Sequence, residues 1–151
     1  MEDKQETVIR GVTLNDISGV CMIEKECFSD PWSSGMMESS LKDKNQQVFV
    51  IEESGKILGY GAVMMVLDEC EILRIAVSGS FRRKGLGSRL LDEMIAFGKT
   101  GGSRLFYLEV RASNTAAVKL YKKKGFKETG RRKNYYTNPT EDAVLMSYVC
   151  C

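Results

Sequence analysis

Two stretches of the chain run from an apolar strand through an amphipathic helix into another strand. In the first, CEILRIAV (70–77) precedes a helical stripe at 86–99 and the run RLFYLEV (104–110). In the second, that run precedes a helix starting at Asn114 and a strand near 126–136. Strand–helix–strand units form crossovers, so both stretches constrain the fold to a sheet with parallel pairs and helices on its faces.

The remaining segments add strands and helices to this sheet. TVIRGVT (7–13) predicts a first strand, and helical spacing follows as far as Phe28 and again over 34–43. QVFVIEE and ILGYGAVMMVL predict a hairpin, and 142–149 predicts a last strand. The sequence therefore predicts an α/β fold (an α+β mixed sheet) in the order β-α-α-β-β-β-α-β-α-β-β. We expect residues 1–151 to form a single domain, since no repeat or linker interrupts them.

The absence of histidine is the strongest chemical restriction in the composition. It excludes Ser-His-Asp and Cys-His catalysis and histidine zinc sites, so proton transfer near neutral pH must use carboxylates, tyrosine, lysine, cysteine or water. We expect no metal. The five cysteines show no C-x-x-C spacing, and no signal peptide or membrane-length apolar run is present. These features favour a cytoplasmic protein with reduced thiols and no membrane partner.

Positive charge is concentrated in one basic cluster, residues 119–133. This segment, KLYKKKGFKETGRRK, carries eight Lys or Arg and one Glu, whereas the whole chain has a net charge of only +2. The cluster suits an RNA-binding module, and KGF matches the start of an RNA-recognition strand. Lys127, Glu128 and Thr129 then replace the stacking aromatic side chain that the motif needs. A cationic face beside a phosphate ligand or ribosomal RNA explains the charge equally well.

The loop FRRKGLGSRLL (81–91) places three consecutive cations and two glycines at the start of the third helix. Backbone N–H groups at a helix N-terminus bind anions, and Gly85 and Gly87 permit close backbone approach. No P-loop sequence occurs in the chain, and Leu90 stands where a dinucleotide-binding loop needs a third glycine. The loop predicts a phosphate site of another type, with a solvated basic turn as the alternative.

R-x-x-G-x-G after an apolar strand, here Arg82 to Gly87, is the pyrophosphate-binding signature of the GCN5-related N-acetyltransferase (GNAT) superfamily, which this chain resembles. FSDPWS, LRIAV, YLEVRASNTAAVKLYKKKGF and RRKNYY resemble the bacterial ribosomal-protein-alanine N-acetyltransferases, the RimI type. The chain departs from the family at Ser78-Gly79, where an acidic residue is frequent, and at Arg82, where Gln is frequent.

The resemblance implies the GNAT acetyl-CoA-binding fold and an acetyl-CoA-dependent N-acetyltransferase. The implied acceptor is a protein N-terminal α-amine, the N-terminal alanine of a small-subunit ribosomal protein, acetylated by direct transfer in a ternary complex without any need for nucleic acid. A lysine side chain or a small-molecule amine is the alternative acceptor. The implied acetyl-CoA contacts are Ile75, Ala76, Val77, Arg83, Lys84, Gly85, Leu86, Gly87, Ser88 and Asn114.

Glu109 and Tyr121 are the candidate catalytic pair. Glu109 interrupts a nearly continuous apolar strand that we expect to be covered on both faces, and a carboxylate there is costly unless it is paired or functional. Its structural alternative is a salt bridge with Arg111 or contact with water at the strand end, and that of Tyr121 is core packing. The resemblance implies that Glu109 is the general base and that Tyr121 is the acid that protonates the coenzyme A thiolate.

Three further aromatic residues are candidate acceptor contacts. Trp32 follows Pro31 in the FSDPWS segment, and Tyr135 and Tyr136 end a predicted strand. The structural alternative for each of the three is that its side chain packs in the protein and does not contact the acceptor. The resemblance implies that both segments lie beside the acceptor peptide.

Overall fold

The computed structural model describes residues 6–82 and 84–150. Its elements follow the predicted order, which confirms the α/β class. The strands are β1 (Val8–Gly11), β2 (Gln46–Glu53), β3 (Lys56–Val66), β4 (Glu69–Val77), β5 (Leu105–Arg111), β6 (Lys127–Tyr136) and β7 (Glu141–Val149). The helices are α1 (Ile17–Cys27), α2 (Ser34–Lys42), α3 (Leu86–Thr100) and α4 (Thr115–Lys123), with short 3₁₀ turns before α1 and after β4.

The seven strands form one mixed sheet in the order β1-β2-β3-β4-β5-β7-β6. β4 and β5 are parallel, as the crossover through α3 requires, and the other neighbouring pairs are antiparallel. β7 lies between β5 and β6, so the crossover through α4 skips one strand position. None of the helices in the described ranges has the length and apolar character needed to cross a bilayer.

Each face of the sheet carries its own hydrophobic core. On one face, α3 and α4 bury a cluster that includes Leu90, Met94, Phe106 and Leu108. On the other, α1 and α2 pack on β2, β3 and β4 around Val20 and neighbouring apolar side chains. The second face is thus covered over one half of the sheet, which leaves β5 without a helix there.

β5 corrects one expectation. The strand alternates between buried and half-buried residues instead of being buried throughout. Phe106, Leu108 and Val110 face the α3 side, whereas Glu109 and Arg111 face the side that no helix covers. The prediction of a strand covered on both faces is therefore wrong. RLFYLEV has apolar or aromatic residues at nearly every position, so its sequence does not show the alternation between buried and half-buried side chains.

Side-chain caps fix the start of two helices that border the site. The Asn114 Oδ1 atom accepts a hydrogen bond from the Ala117 N–H at 3.2 Å and begins α4. The Ser33 Oγ atom accepts from the Met36 N–H at 3.2 Å and begins α2 directly after Trp32. Capping by Asn and Ser satisfies N–H groups that have no partner within the helix.

Candidate active site

The sheet opens between β4 and β5. Within the described chain their ladder joins Glu69–Glu71 to Leu105–Tyr107 and then stops. β4 also bulges between Ile72 and Arg74 where it pairs with β3. Backbone groups of residues 72–77 on the β5 side consequently lack a strand partner, and an extended ligand can hydrogen-bond to them.

The glycine-containing loop that precedes α3, residues 81–87, which we call the glycine loop, lies beside this opening. Gly85 precedes α3 in the left-handed region with φ of 76°, a conformation that favours glycine. A Cβ atom at Gly87 would lie 3.5 Å from Leu120 Cδ2, an ordinary contact, so packing within the fold does not require glycine at this position. The first-turn N–H groups of α3 have no helical acceptor and are oriented to bind an anion. Arg83, one of the predicted coenzyme contacts, lies outside the described residues.

Arg82 has a structural role in the same loop. Its Nε atom donates to the Val77 carbonyl at 3.1 Å, and its Nη2 atom lies 3.2 Å from Cys27 Sγ. The guanidinium therefore joins the loop to the end of β4 and to α1. This contact gives a physical reason for arginine at a position where the family often has glutamine.

The predicted coenzyme contacts differ in what they can offer a ligand. Ala76 and Leu86 are both 6% exposed and belong to the two cores, so only their backbone atoms can reach a ligand. Ile75 and Val77 are half-buried, and Lys84 is exposed with its Nζ atom 5.4 Å from the Phe81 ring. Ser88 is half-buried in the first turn of α3.

An open cavity of about 880 Å³ lies where β4 and β5 separate and is lined from both faces of β5, by Glu109 and Arg111 on one and Val110 on the other. Its walls come from the α1–α2 segment, β4, β5, α4 and the segment joining β6 to β7. Among the residues predicted from sequence, those that line it are Trp32, Ile75, Glu109, Asn114, Tyr121, Tyr135 and Tyr136. The cavity thus brings the candidate acid, base and acceptor contacts together, whereas residues 84–88, in the glycine loop and the first turn of α3, lie outside it.

Glu109 is half-buried in this cavity. Its Oε1 atom lies 3.3 Å from Nε of Arg132, an exposed side chain on β6. The pKa of Tyr135 is raised, chiefly because its hydroxyl hydrogen-bonds to the Glu109 carboxylate. The alternative of a salt bridge between Glu109 and Arg111 is wrong, since Arg111 pairs with Glu141 at 3.2 Å. An exposed cation such as Arg132 binds weakly, so Glu109 remains available to another partner.

Tyr121 is packed in the core and also borders the cavity. Its side chain is 6% exposed, and its ring centroid lies 5.7 Å from that of Phe126. It also lines the cavity on the α4 side. Burial, and then the neighbouring Tyr136, raise the pKa of Tyr121 above its usual range. The hydroxyl therefore keeps its proton at neutral pH, as a proton donor must.

Arg111 also lines the cavity, although the sequence indicated it only as a possible salt-bridge partner of Glu109. It donates to the carbonyls of Thr137 at 2.8 Å and Pro139 at 3.0 Å, and its Cζ atom lies 4.6 Å from the Tyr136 ring. Burial, followed by the negative charge of Glu109, raises the pKa of Tyr136 to about 12. The two hydrogen bonds and the ring contact of Arg111 hold the segment that bears Tyr136 against β5.

Glu71 is a second carboxylate in the cavity that was missed from sequence. Glu71 is half-buried, and it is the last residue of β4 that pairs with β5. Burial, and then repulsion by Glu109, raise the pKa of Glu71. The signal was present, because Glu71 interrupts the apolar run CEILRIAV in the way that Glu109 interrupts its own strand.

Comparisons with known proteins identify the family to which this fold belongs. The acetyltransferase (GNAT) family profile matches residues 17–126. The chain is 36% identical over 144 residues to the putative ribosomal protein bS18-alanine N-acetyltransferase of Bacillus subtilis (strain 168), covering 95% of both chains. It is 35% identical over 141 residues to the ribosomal protein bS18-alanine N-acetyltransferase of Escherichia coli (strain K12), covering 92% of this chain and 95% of that one.

The crystal structure of the ribosomal-protein-S18-alanine N-acetyltransferase from Escherichia coli has the same fold. It matches with a TM-score of 0.87 at 34% identity, covering 95% of this chain and 94% of that one. The chain belongs to the GNAT acetyltransferase family and is an acetyl-CoA-dependent N-acetyltransferase. The family predicted from the Arg82–Gly87 motif and the accompanying segments is confirmed.

Proposed function

We propose that this protein transfers the acetyl group of acetyl-CoA to the α-amine of a protein N-terminus, the N-terminal alanine of a small-subunit ribosomal protein. The observation that carries the proposal is the agreement of two relatives, each about a third identical over more than nine-tenths of its length, whose names specify this acceptor. The cavity supports it, because it joins a carboxylate, a buried tyrosine and an aromatic wall.

Acetyl-CoA would lie across the opening between β4 and β5. Backbone groups of residues 75–77 that have no partner on β5 would bond the pantetheine arm, and the N–H groups of residues 84–88 would bind the pyrophosphate. Asn114 uses its side-chain oxygen as a helix cap, which leaves its amide N–H groups to donate to a ligand. Glycine at 85 and 87 keeps side chains out of the path of the phosphates.

Replacing Gly87 tests the coenzyme site. At about 100 times its Kd, acetyl-CoA should raise the free energy of unfolding of the native protein by about 2.7 kcal/mol. We expect Gly87→Val to abolish this stabilisation, because the branched side chain occupies the approach to the first-turn N–H groups. Thermal unfolding with and without acetyl-CoA measures the effect.

Gly35→Val is a matched control for that experiment. Gly35 is the second residue of α2, as Gly87 is of α3, and a Cβ atom there would meet only Ser33 Oγ at 3.8 Å. The control should keep the full coenzyme-induced shift. An equal shift in wild type, Gly87→Val and Gly35→Val proteins would show that the loop does not bind the coenzyme.

Glu109 and Tyr121 divide the proton transfers of the reaction. The acceptor nitrogen attacks the thioester carbonyl carbon, and Glu109 takes the proton that the nitrogen loses, directly or through water. The carbon–sulfur bond breaks, and the Tyr121 hydroxyl gives its proton to the departing thiolate. The products are an N-acetylated chain end and coenzyme A, with no covalent intermediate on the enzyme.

Acceptor choice follows from the protonation state of the amine. An α-amine has a pKa of about 7.7–8.0, so about a third of it is neutral at about pH 7.5. A lysine amine with a pKa of about 10.4 is neutral to only about one part in a thousand at that pH. A single carboxylate base therefore has much less work to do on an α-amine.

A peptide with a free N-terminal alanine and an internal lysine provides the test. We expect mass spectrometry to find the acetyl group on the N-terminal nitrogen alone, and the N-terminally blocked form of the same peptide to remain unmodified. Trp32, Tyr135 and Tyr136 would then contact the free chain end. Equal acetylation of the blocked peptide would replace this acceptor with a lysine side chain or a small amine.

A further inference from the structure

Arg74 is a cation in the cavity wall that the proposed chemistry does not use. It lies on β4 beside the bulge and reaches the segment that joins α1 to α2. Its Nη1 atom lies 2.7 Å from Glu24 Oε2, and its Nη2 atom donates to the Asp30 carbonyl at 3.2 Å. The guanidinium carbon also lies 4.2 Å from the Phe28 ring centroid and 4.6 Å from that of Trp32.

Glu24 anchors this arrangement from inside the protein. The residue is 0% exposed, and its Oε2 atom accepts a second hydrogen bond from the Trp32 backbone N–H at 2.8 Å. Its Oε1 atom has no hydrogen-bond partner among the residues described. A buried carboxylate is tolerated only with a cation and donors around it, and Arg74 is the cation that the structure pairs with Glu24.

Apart from the ion pair with Glu24 on α1, the contacts of Arg74 named above lie in one segment, which we call the acceptor loop, residues 28–32. An arginine can make them together because its planar group donates through a fork while its faces stack on aromatic rings. Lysine can retain the ion pair but has no planar face or fork. The guanidinium therefore links the buried end of α1 to both aromatic side chains of the acceptor loop.

The acceptor loop and the segment that bears Tyr135 and Tyr136 both line the cavity. None of the described residues of the glycine loop or α3 makes a contact with Arg74 in this arrangement. We propose that Arg74 is a positioning residue that holds the acceptor loop, and Trp32 in particular, in the place where it binds the acceptor chain end. This inference rests on the proposed function, because it assigns acceptor binding to this cavity.

Kinetics separate this role from a general structural one. In Arg74→Met we expect the KM for the acceptor peptide to rise at least about tenfold, the loss of a charged hydrogen bond and two stacking contacts. The KM for acetyl-CoA should stay unchanged, and Arg74→Lys should restore only part of the peptide KM. Arg104→Met, at an exposed arginine at the start of β5, is the control and should match wild type.

Removing Arg74 alone leaves Glu24 buried without its cation, so folding must be secured separately. The double variant Arg74→Met/Glu24→Gln removes both charges while glutamine keeps an oxygen to accept from the Trp32 N–H. It should fold, show the full acetyl-CoA stabilisation and still have the raised peptide KM. A normal peptide KM in this folded variant, or a parallel rise in both KM values, would overturn the proposal.

Trp32 fluorescence reports on the loop without any acceptor. It is the sole tryptophan of the chain, so the emission has one source. Acrylamide should quench it more strongly in Arg74→Met and in the double variant than in wild type or Arg104→Met. Equal quenching in all four proteins would overturn the proposal whatever the kinetics show. Failure of the α-amine assignment would instead appear as unmodified free peptide with the wild-type enzyme, which leaves the quenching result intact.

Discussion

Tyr121→Phe should slow acetyl transfer by roughly 10²–10⁴-fold while leaving acetyl-CoA binding unchanged, because a general acid typically contributes that much. The variant keeps the ring that packs against Phe126 and removes only the hydroxyl of a residue that lines the cavity. The pKa of Tyr121 is raised, chiefly by burial, so the wild-type hydroxyl is protonated near neutral pH. Single-turnover measurement of peptide acetylation, at saturating acetyl-CoA, isolates the chemical step.

Tyr148→Phe is the matched control. The Tyr148 ring also lies 5.7 Å from Phe126, but the side chain is not part of the cavity wall. Loss of this hydroxyl should leave the rate near that of wild type. If Tyr121→Phe were equally active in the single-turnover experiment, Tyr121 would be a packing residue and another group would protonate the thiolate.

Glu109→Gln should lower kcat by roughly 10²–10⁴-fold near neutral pH, since glutamine cannot accept the proton of the attacking amine. The deficit should persist above the α-amine pKa of about 7.7–8.0, because the neutral amine still has a proton to lose when it attacks the thioester. A pH–rate profile for wild type and variant, measured with the same peptide, gives both results.

Glu71→Gln is the informative companion to that variant. Both carboxylates line the cavity, and repulsion from Glu109 contributes to the raised pKa of Glu71. With Glu109 as the base, Glu71→Gln should cost much less activity than Glu109→Gln. The reverse order would transfer the role of base to Glu71, on β4 instead of β5.

The sequence predicted the architecture because its local signals agreed with one another. Apolar strand runs, helical spacing and an asparagine cap at Asn114 each specified one element, and together they produced the observed order. A dinucleotide-binding fold was excluded because Leu90 occupies the position where its loop needs a third glycine. Residues whose roles depend on the local chain, such as Gly85, were found in this way.

Residues whose roles depend on distant contacts were not found. Glu24 looks like any polar residue of an amphipathic helix, and only the tertiary structure shows that it is buried with Arg74. The predicted salt bridge between Glu109 and Arg111 was also wrong, because the cation near Glu109 is Arg132, on a strand that is remote in sequence. Sequence spacing favours near neighbours such as Arg111, whereas pairing across a sheet depends on which strands become adjacent.

The three-residue ladder between β4 and β5 also affects how this sheet avoids misassembly. An unpaired strand edge is a template on which another extended chain can add, and proteins ordinarily cover or shorten such edges. Here the edge lies within the protein, with the ladder at one end and the cavity at the other. Two separated strands can admit a single thin chain but not a further strand with its own sheet. The same opening that exposes backbone groups to a coenzyme therefore excludes strand-by-strand aggregation at that edge.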